Sequence, residues 1–204
     1  MNICIIDYNM GNLFSVKNKF TRLKQNVKIS SNGNEILEAD KLILPGVGHF
    51  SKAMENIKNM NLYDVINKSV LIKKRPILGI CLGMQLMAKH SEEGNCNGFG
   101  WTNANVVKFR QGENNIYKVP HMGWNNVFPS VGSLLLKGIS ENEEFYFVHS
   151  YHLKTDDKSI IAGETDYIYR FCSVFEKENI FGVQFHPEKS HDAGEIILKN
   201  FINL

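Results

Sequence analysis

The chain has 204 residues, 43% of them hydrophobic and 22% charged, and a formal net charge of +2. This is an ordinary balance for a soluble enzyme with a sizeable core, and the charge is too small to argue for nucleic acid, the longest Lys/Arg run being Lys73-Lys74-Arg75. The segment from Met1 to Asp7 lacks the cationic region and cleavage site of a signal peptide, and no stretch nears the roughly 18 apolar residues of a membrane span. The expectation is a cytoplasmic protein made of one domain over 1–204.

In chain order, residues 2–7 read as a buried strand followed by a turn at Asn9 to Asn12. Leu13, Val16, Phe20 and Leu23 fall at helical spacing and predict an amphipathic helix to about Gln25. Short strands follow at Val27 to Ser30 and Lys41 to Leu44, the second ending in Pro45-Gly46-Val47-Gly48. Helices are predicted around 50–59 and 62–73, then a strand at 76–80. Strands alternating with helices argue for an α/β fold with a mostly parallel central sheet and helices on both faces.

The second half reads as short strands with polar turns: Val106-Val107, Ile116 to Val119, Leu134 to Leu136, Phe145 to Ser150, Ile160 to Ala162, Phe171 to Phe175 and Ile180 to Phe185. No Pro/Gly/Ser linker interrupts them, so they predict a β-rich extension on the same sheet, closed by a helix from Ala193 to Ile202. The cysteines Cys4, Cys81, Cys96 and Cys172 have no CxxC or zinc-ligand spacing, so no metal and no disulfide are expected. Cys4 and Cys172 read as packing residues and Cys96 as a loop thiol.

Gly79-Ile-Cys81-Leu-Gly83 joins the 76–80 strand to a helix. A Gly-x-Cys-x-Gly turn there is a nucleophile elbow: it pushes the Cys81 sulfur out of the sheet edge and faces it with the positive end of the helix. The N–H of Leu82 points where an oxyanion would form, and a second donor is expected from Val47 or Gly48. By itself the turn is also compatible with a tight strand-to-helix turn around a buried cysteine. Downstream, His186-Pro187-Glu188 sets a histidine and a carboxylate two residues apart, which on a strand project to the same side. Cys81, His186 and Glu188 then form a nucleophile, its base and the base's orienter.

The segments Pro-Gly-Val-Gly (45–48), Gly-Ile-Cys-Leu-Gly-Met-Gln-Leu (79–86), Val-Pro-His-Met-Gly-Trp-Asn (119–125), Phe-Val-His-Ser-Tyr (147–151) and Gly-Val-Gln-Phe-His-Pro-Glu-Lys-Ser (182–190) resemble class I glutamine amidotransferases. Within that class they closely resemble the glutaminase subunits of imidazole glycerol phosphate synthase, of histidine biosynthesis. The likeness runs from Asp7 to Phe201 and implies a flavodoxin-like fold. It implies no cofactor, and hydrolysis of glutamine to glutamate and ammonia through a γ-glutamyl thioester on Cys81. Gln85 and Glu93 match positions that hold the substrate amino acid, and Gly46, Gly48, His149, Ser150 and Tyr151 complete that pocket. The alternative for Glu93 is a solvated charge beside Glu92. The implied partner is a (β/α)8-barrel cyclase in a heterodimer; His121, Met122, Trp124, Tyr146 and Lys189 match positions that face or signal to it. Met122 and Trp124 also read as core residues. Gly98 to Trp101 and Ser190-His191-Asp192 are similar to relatives that supply ammonia for amidino-sugars of surface polysaccharides, the alternative reading. A non-catalytic subunit, a cysteine peptidase and a γ-glutamyl hydrolase are the rivals of other classes.

Overall fold

The computed structural model of the protein describes residues 1–111 and 117–204. The first half runs β1 (Asn2–Ile6), α1 (Leu13–Arg22), β2 (Asn26–Ser30), α2 (Gly33–Glu38), β3 (Lys41–Gly46), α3 (Phe50–Asn59), α4 (Tyr63–Asn67), β4 (Ile77–Cys81) and α5 (Leu82–Leu86). The second runs β5 (His90–Ser91), β6 (Cys96–Asn97), β7 (Ala104–Lys108), β8 (His121–Asn126), β9 (Phe128–Pro129), β10 (Glu144–His149), β11 (Tyr151–Thr155), β12 (Ile161–Asp166), β13 (Arg170–Lys177), β14 (Ile180–Val183) and α6 (His191–Ile202).

Strands β2, β1, β3, β4 and β14 lie side by side and parallel. The period of two splits their apolar residues between the faces. Cys4, Ile6, Leu42 and Leu44 meet Ile36, Phe50, Ile57 and Ile66 from α2, α3 and α4. Ile3, Ile5, Ile43, Leu78 and Ile80 meet Val16 and Phe20 of α1 and Ile197, Leu198 and Phe201 of α6. Both faces are thus covered, as a parallel sheet requires. Beyond β14 the sheet turns antiparallel through β13 and β11 to β7, so the β-rich extension continues the same sheet. β8 and β10 leave it and form a two-stranded antiparallel sheet of their own.

Several local expectations are corrected. Leu134 to Leu136 form turns instead of a strand. The Leu134 and Leu135 N–H groups donate to the Glu176 carboxylate at 3.0 and 2.8 Å, so this backbone needs no strand partner while Leu135 and Leu136 still bury. Residues 117–119 of the strand expected at Ile116 to Val119 are not extended in a ladder, and Ile116 lies outside the described residues. The first helix stops at Arg22, because Lys24 takes φ 58° and turns the chain. The helix expected over 62–73 is α4 followed by a π-helical turn, Lys68–Ile72. Phe145 to Ser150 is a strand, but on the small sheet. Cys96, expected in a loop, sits in the two-residue strand β6. The elements α2, β8 and β11 had no periodic signal strong enough to predict them.

Candidate active site

At the end of β4 the chain turns into α5 at Cys81, which holds φ 53° and ψ −109°, a combination that a residue with a Cβ rarely adopts. The turn is enforced by crowding. A Cβ on Gly83 would lie 1.6 Å from the Leu44 carbonyl oxygen, and one on Gly79 would lie 2.7 Å from the Met84 nitrogen. Only glycine lets α5 cross this closely over β3 and β4. Leu82 opens α5, so its N–H is one the helix leaves unused. Gly46 pairs with Cys81 in the sheet, which brings Val47 and Gly48 alongside the sulfur.

His186 and Glu188 meet by a different route from the one expected. β14 ends at Val183, and Pro187–Lys189 is a 3-10 turn, so the pair is not on a strand. Proline at the first position of that turn fits its fixed φ and its missing N–H. The turn sets His186 Nδ1 2.8 Å from Glu188 Oε1, with both side chains buried. Ser190 ties the turn to β10: its hydroxyl donates to the His186 carbonyl at 2.6 Å and accepts from the Tyr146 N–H at 3.0 Å. The His186 N–H donates to the Tyr146 carbonyl at 2.9 Å. Burial pulls the His186 imidazole toward neutrality, but the Cys81 sulfur and the Glu188 carboxylate outweigh it and hold the proton well above the ordinary histidine value. His186 Nε2 takes no other hydrogen bond.

A cleft of about 320 Å3 opens over the sulfur, lined by Val47, Gly48, Leu82, Gln85, Glu93, Val148, His149, Ser150 and Tyr151 as well as Cys81 and Pro120. Gly46 lies under its floor, where a Cβ would meet the Tyr8 hydroxyl at 2.2 Å. Glu93 is anchored: its Oε2 accepts from the Phe50 N–H at 2.8 Å, at the start of α3, where His49 supplies no side-chain cap. Gln85 Nε2 donates to the Tyr151 carbonyl at 2.8 Å and to Gln184 Oε1 at 3.1 Å. His149 Nδ1 donates to the same carbonyl at 2.8 Å, while its Nε2 lies 3.0 Å from His121 Nδ1. A larger cavity, about 470 Å3 beside Arg110, His152 and Tyr169, contains none of the triad.

His121, expected to face or signal to a partner, is buried and reaches no surface. Its neighbours on β8 do: Met122 is 66% exposed and Trp124 44%, which rules out the core reading of both. Trp124 pairs across the strands with Tyr146, and Lys189 Nζ stands 5.3 Å from the Tyr146 ring. Trp124 also stacks on His191 at 4.9 Å. These groups form one exposed aromatic and basic patch behind the triad. Among the described residues no group of His, Cys, Asp and Glu is arranged to hold a metal ion, and no helix is long and apolar enough to cross a membrane.

Sequence reasoning gave no role to Gln184, Ser190 or Tyr8. Gln184 is fully buried, with Nε2 3.6 Å from Cys81 Sγ. Tyr8 donates to the Pro45 carbonyl at 2.6 Å and supports the Gly46 loop from below. Gln184 and Ser190 lie inside the 182–190 segment, so their place in the string was visible while their contacts were not.

A profile of the family described as Glutamine amidotransferase class-I matches residues 4–204. The chain is 48% identical over 98% of its length to imidazole glycerol phosphate synthase subunit HisH 2 of Methanococcus maripaludis, covering 98% of that protein. It is 43% identical to the subunit of the same name from Pseudomonas aeruginosa, with 99% of each chain covered. Among solved structures, a glutamine amidotransferase from Thermotoga maritima superposes with a TM-score of 0.65 at 17% identity, over 100% of this chain and 83% of that one.

Proposed function

The chain belongs to the class I glutamine amidotransferases, and from that premise we propose that it is the glutaminase subunit of imidazole glycerol phosphate synthase, working in histidine biosynthesis. Residues 1–204 act as one type 1 amidotransferase domain in the cytoplasm. The observation that carries the chemistry is the buried His186–Glu188 pair, 2.8 Å apart and electrostatically coupled to a cysteine held at a strained elbow.

The steps follow from that geometry. Glutamine enters the cleft with its α-amino and α-carboxylate groups toward Gln85, Glu93, His149, Ser150 and Tyr151. The Cys81 thiolate attacks the side-chain amide carbon, and the N–H groups of Leu82 and of Val47 or Gly48 receive the oxyanion. The His186 imidazolium gives its proton to the departing nitrogen, leaving ammonia and a γ-glutamyl thioester. His186 then takes a proton from water, which attacks the thioester and releases glutamate. Glu188 keeps His186 in the productive tautomer throughout.

Ammonia released into water at neutral pH becomes ammonium and loses its lone pair, so a synthase must pass it on directly. The partner is a (β/α)8-barrel cyclase in a heterodimer. Met122, Trp124 and Tyr146 supply the docking surface, with Lys189 at its side, since exposed aromatic and methionine side chains are enriched at interfaces. His121, on the same strand as Met122 and Trp124, points inward and meets His149 at the cleft.

The test is glutamate release from glutamine, by the chain alone and then with the cyclase and its nucleotide substrate. A low basal rate that rises by orders of magnitude establishes the assignment. A rate indifferent to that cyclase removes the pathway assignment and leaves the glutaminase chemistry.

A further inference from the structure

Gln184 is fully buried beside the nucleophile, and its amide has only one way to point. The Tyr151 carbonyl can only accept, so the Gln85 group 2.8 Å from it must be the NH2. The same NH2 lies 3.1 Å from Gln184, which must therefore present its oxygen to Gln85. The Gln184 NH2 is left aimed at Cys81 Sγ, 3.6 Å away. The amide assignment thus follows from a fixed carbonyl and is not free to flip.

We propose that Gln184 is a second stabiliser of the Cys81 thiolate, independent of His186, and that Gln85 sets its orientation. A donor held against sulfur gains most when the sulfur is an anion, because hydrogen bonds to a charged acceptor are stronger than those to a neutral one. The neutral thiol has an alternative partner in the Val148 carbonyl, 4.0 Å away, which cannot stabilise an anion. The Gln184 amide and the Val148 carbonyl therefore favour opposite protonation states, and the shorter contact is with the amide. Gln85 carries this arrangement to the edge of the cleft, where it lines the space for the substrate amino acid. Occupation of the cleft and readiness of the nucleophile therefore share one hydrogen-bonded chain: Tyr151 carbonyl, Gln85, Gln184, Cys81. This inference rests on Cys81 being the nucleophile.

The experiment is alkylation of Cys81 by iodoacetamide across pH 5 to 10, followed by peptide mass spectrometry, on the full chain and on Gln184→Met and Gln184→Glu. Gln184→Met keeps the length and apolar bulk and removes the donor. It should react about ten-fold more slowly than the parent at pH 7 and at the same rate in strong alkali, where the thiol is ionised in every variant. Gln184→Glu keeps the shape and replaces the donor by an acceptor, so it should be slower still at pH 7. With glutamine as substrate and the partner present, kcat should fall by about ten-fold in Gln184→Met. KM should change by less than about three-fold, because Gln85 keeps its bond to the Tyr151 carbonyl. Superimposable alkylation profiles of parent and both variants would overturn the inference. Loss of reactivity in Gln184→Met that persists in alkali would assign Gln184 a packing role and overturn it as well. The underlying reading fails separately: glutamine hydrolysis that survives complete alkylation of Cys81 removes the nucleophile itself.

Discussion

Four histidines of this protein are buried to nearly the same depth yet differ in charge. His121 and His186 are each 2% exposed. Burial pushes His121 and His152 down to about 4 and holds His149 well below the ordinary value, so all three are neutral. His186 is held above that value. The difference lies in what each ring touches. His149 and His152 donate to the Tyr151 and Leu153 carbonyls, and His152 Nε2 meets the Tyr169 hydroxyl at 2.7 Å. Those partners satisfy a hydrogen bond without bringing a full charge. His186 has a carboxylate on one side and the sulfur on the other. Desolvation discharges a buried imidazole by default, and only an adjacent anion reverses it. The neutral set supports the cleft and the charged one reacts in it.

The largest expected effect comes from removing the sulfur. Cys81→Ser should lower glutamine hydrolysis by about 10^4-fold or more while association with the partner persists, read as kcat and as pulldown. It also deletes one of the two anions facing His186, so the His186 ring should titrate at lower pH by NMR. Ammonia release at the parental rate would end the assignment of Cys81. Glu188→Gln removes the other anion, so the His186 ring should again titrate at lower pH than in the parent. The rate should fall by about 10^3 to 10^4-fold, because the neutral amide no longer selects the productive tautomer. An unchanged rate would mean that another carboxylate orients the ring.

The elbow and the pairing of His186 with Glu188 were legible because each is local, although the pair was expected on a strand and sits in a 3-10 turn. Gly79, Cys81 and Gly83 lie within five positions, so the strand-to-helix turn they make can be read without any distant contact. The parallel half of the sheet was legible for the same reason, from apolar runs alternating with helical spacing. What the string hid was long-range. Gln184 reaches Cys81 across 103 positions of sequence and Gln85 across 99. Leu134 to Leu136 looked like a strand because the apolar run was visible and the Glu176 carboxylate, 42 positions from Leu134, was not. His121 matched a position of the partner face, and only the pairing of β8 with β10 turns its ring inward onto His149.

The neutral set makes a prediction about stability. Unfolded imidazoles bind protons near 6.5, while folded His121 and His152 resist down to about 4 and folded His149 is likewise held well below 6.5. Between those limits the unfolded chain binds more protons, so stability falls as pH falls. Each group contributes at most about 1.4 kcal/mol per pH unit, or about 4 kcal/mol for the three. His186, raised instead of lowered, runs the other way. Its stabilising effect is complete below 6.5, so acidification from pH 7 restores less than about 1 kcal/mol. Urea unfolding between pH 7 and pH 5 should therefore show a net loss of stability on acidification. A flat profile would mean that the three rings are not held neutral.

The smallest effect, and the sharpest separation of the two sets, comes from His121→Phe. The His121 ring stacks on Tyr167 at 3.9 Å and on Phe147 at 4.6 Å, contacts that phenylalanine can keep. Its hydrogen bonds cannot be kept. Since His149 Nδ1 donates to a carbonyl, His149 Nε2 must accept, and His121 Nδ1–H is the donor; the Asn125 amide donates to His121 Nε2 at 3.2 Å. The variant leaves a buried His149 nitrogen unpaired, at a cost of about 1 to 3 kcal/mol at pH 7. It also removes one of the three groups that resist protonation, so its stability should fall less steeply than the parent's on acidification. The two curves should therefore draw together as pH falls. Parallel curves would show that His121 is stabilised by its stacking alone and takes no part in the titration, which would separate it from His149 and His152.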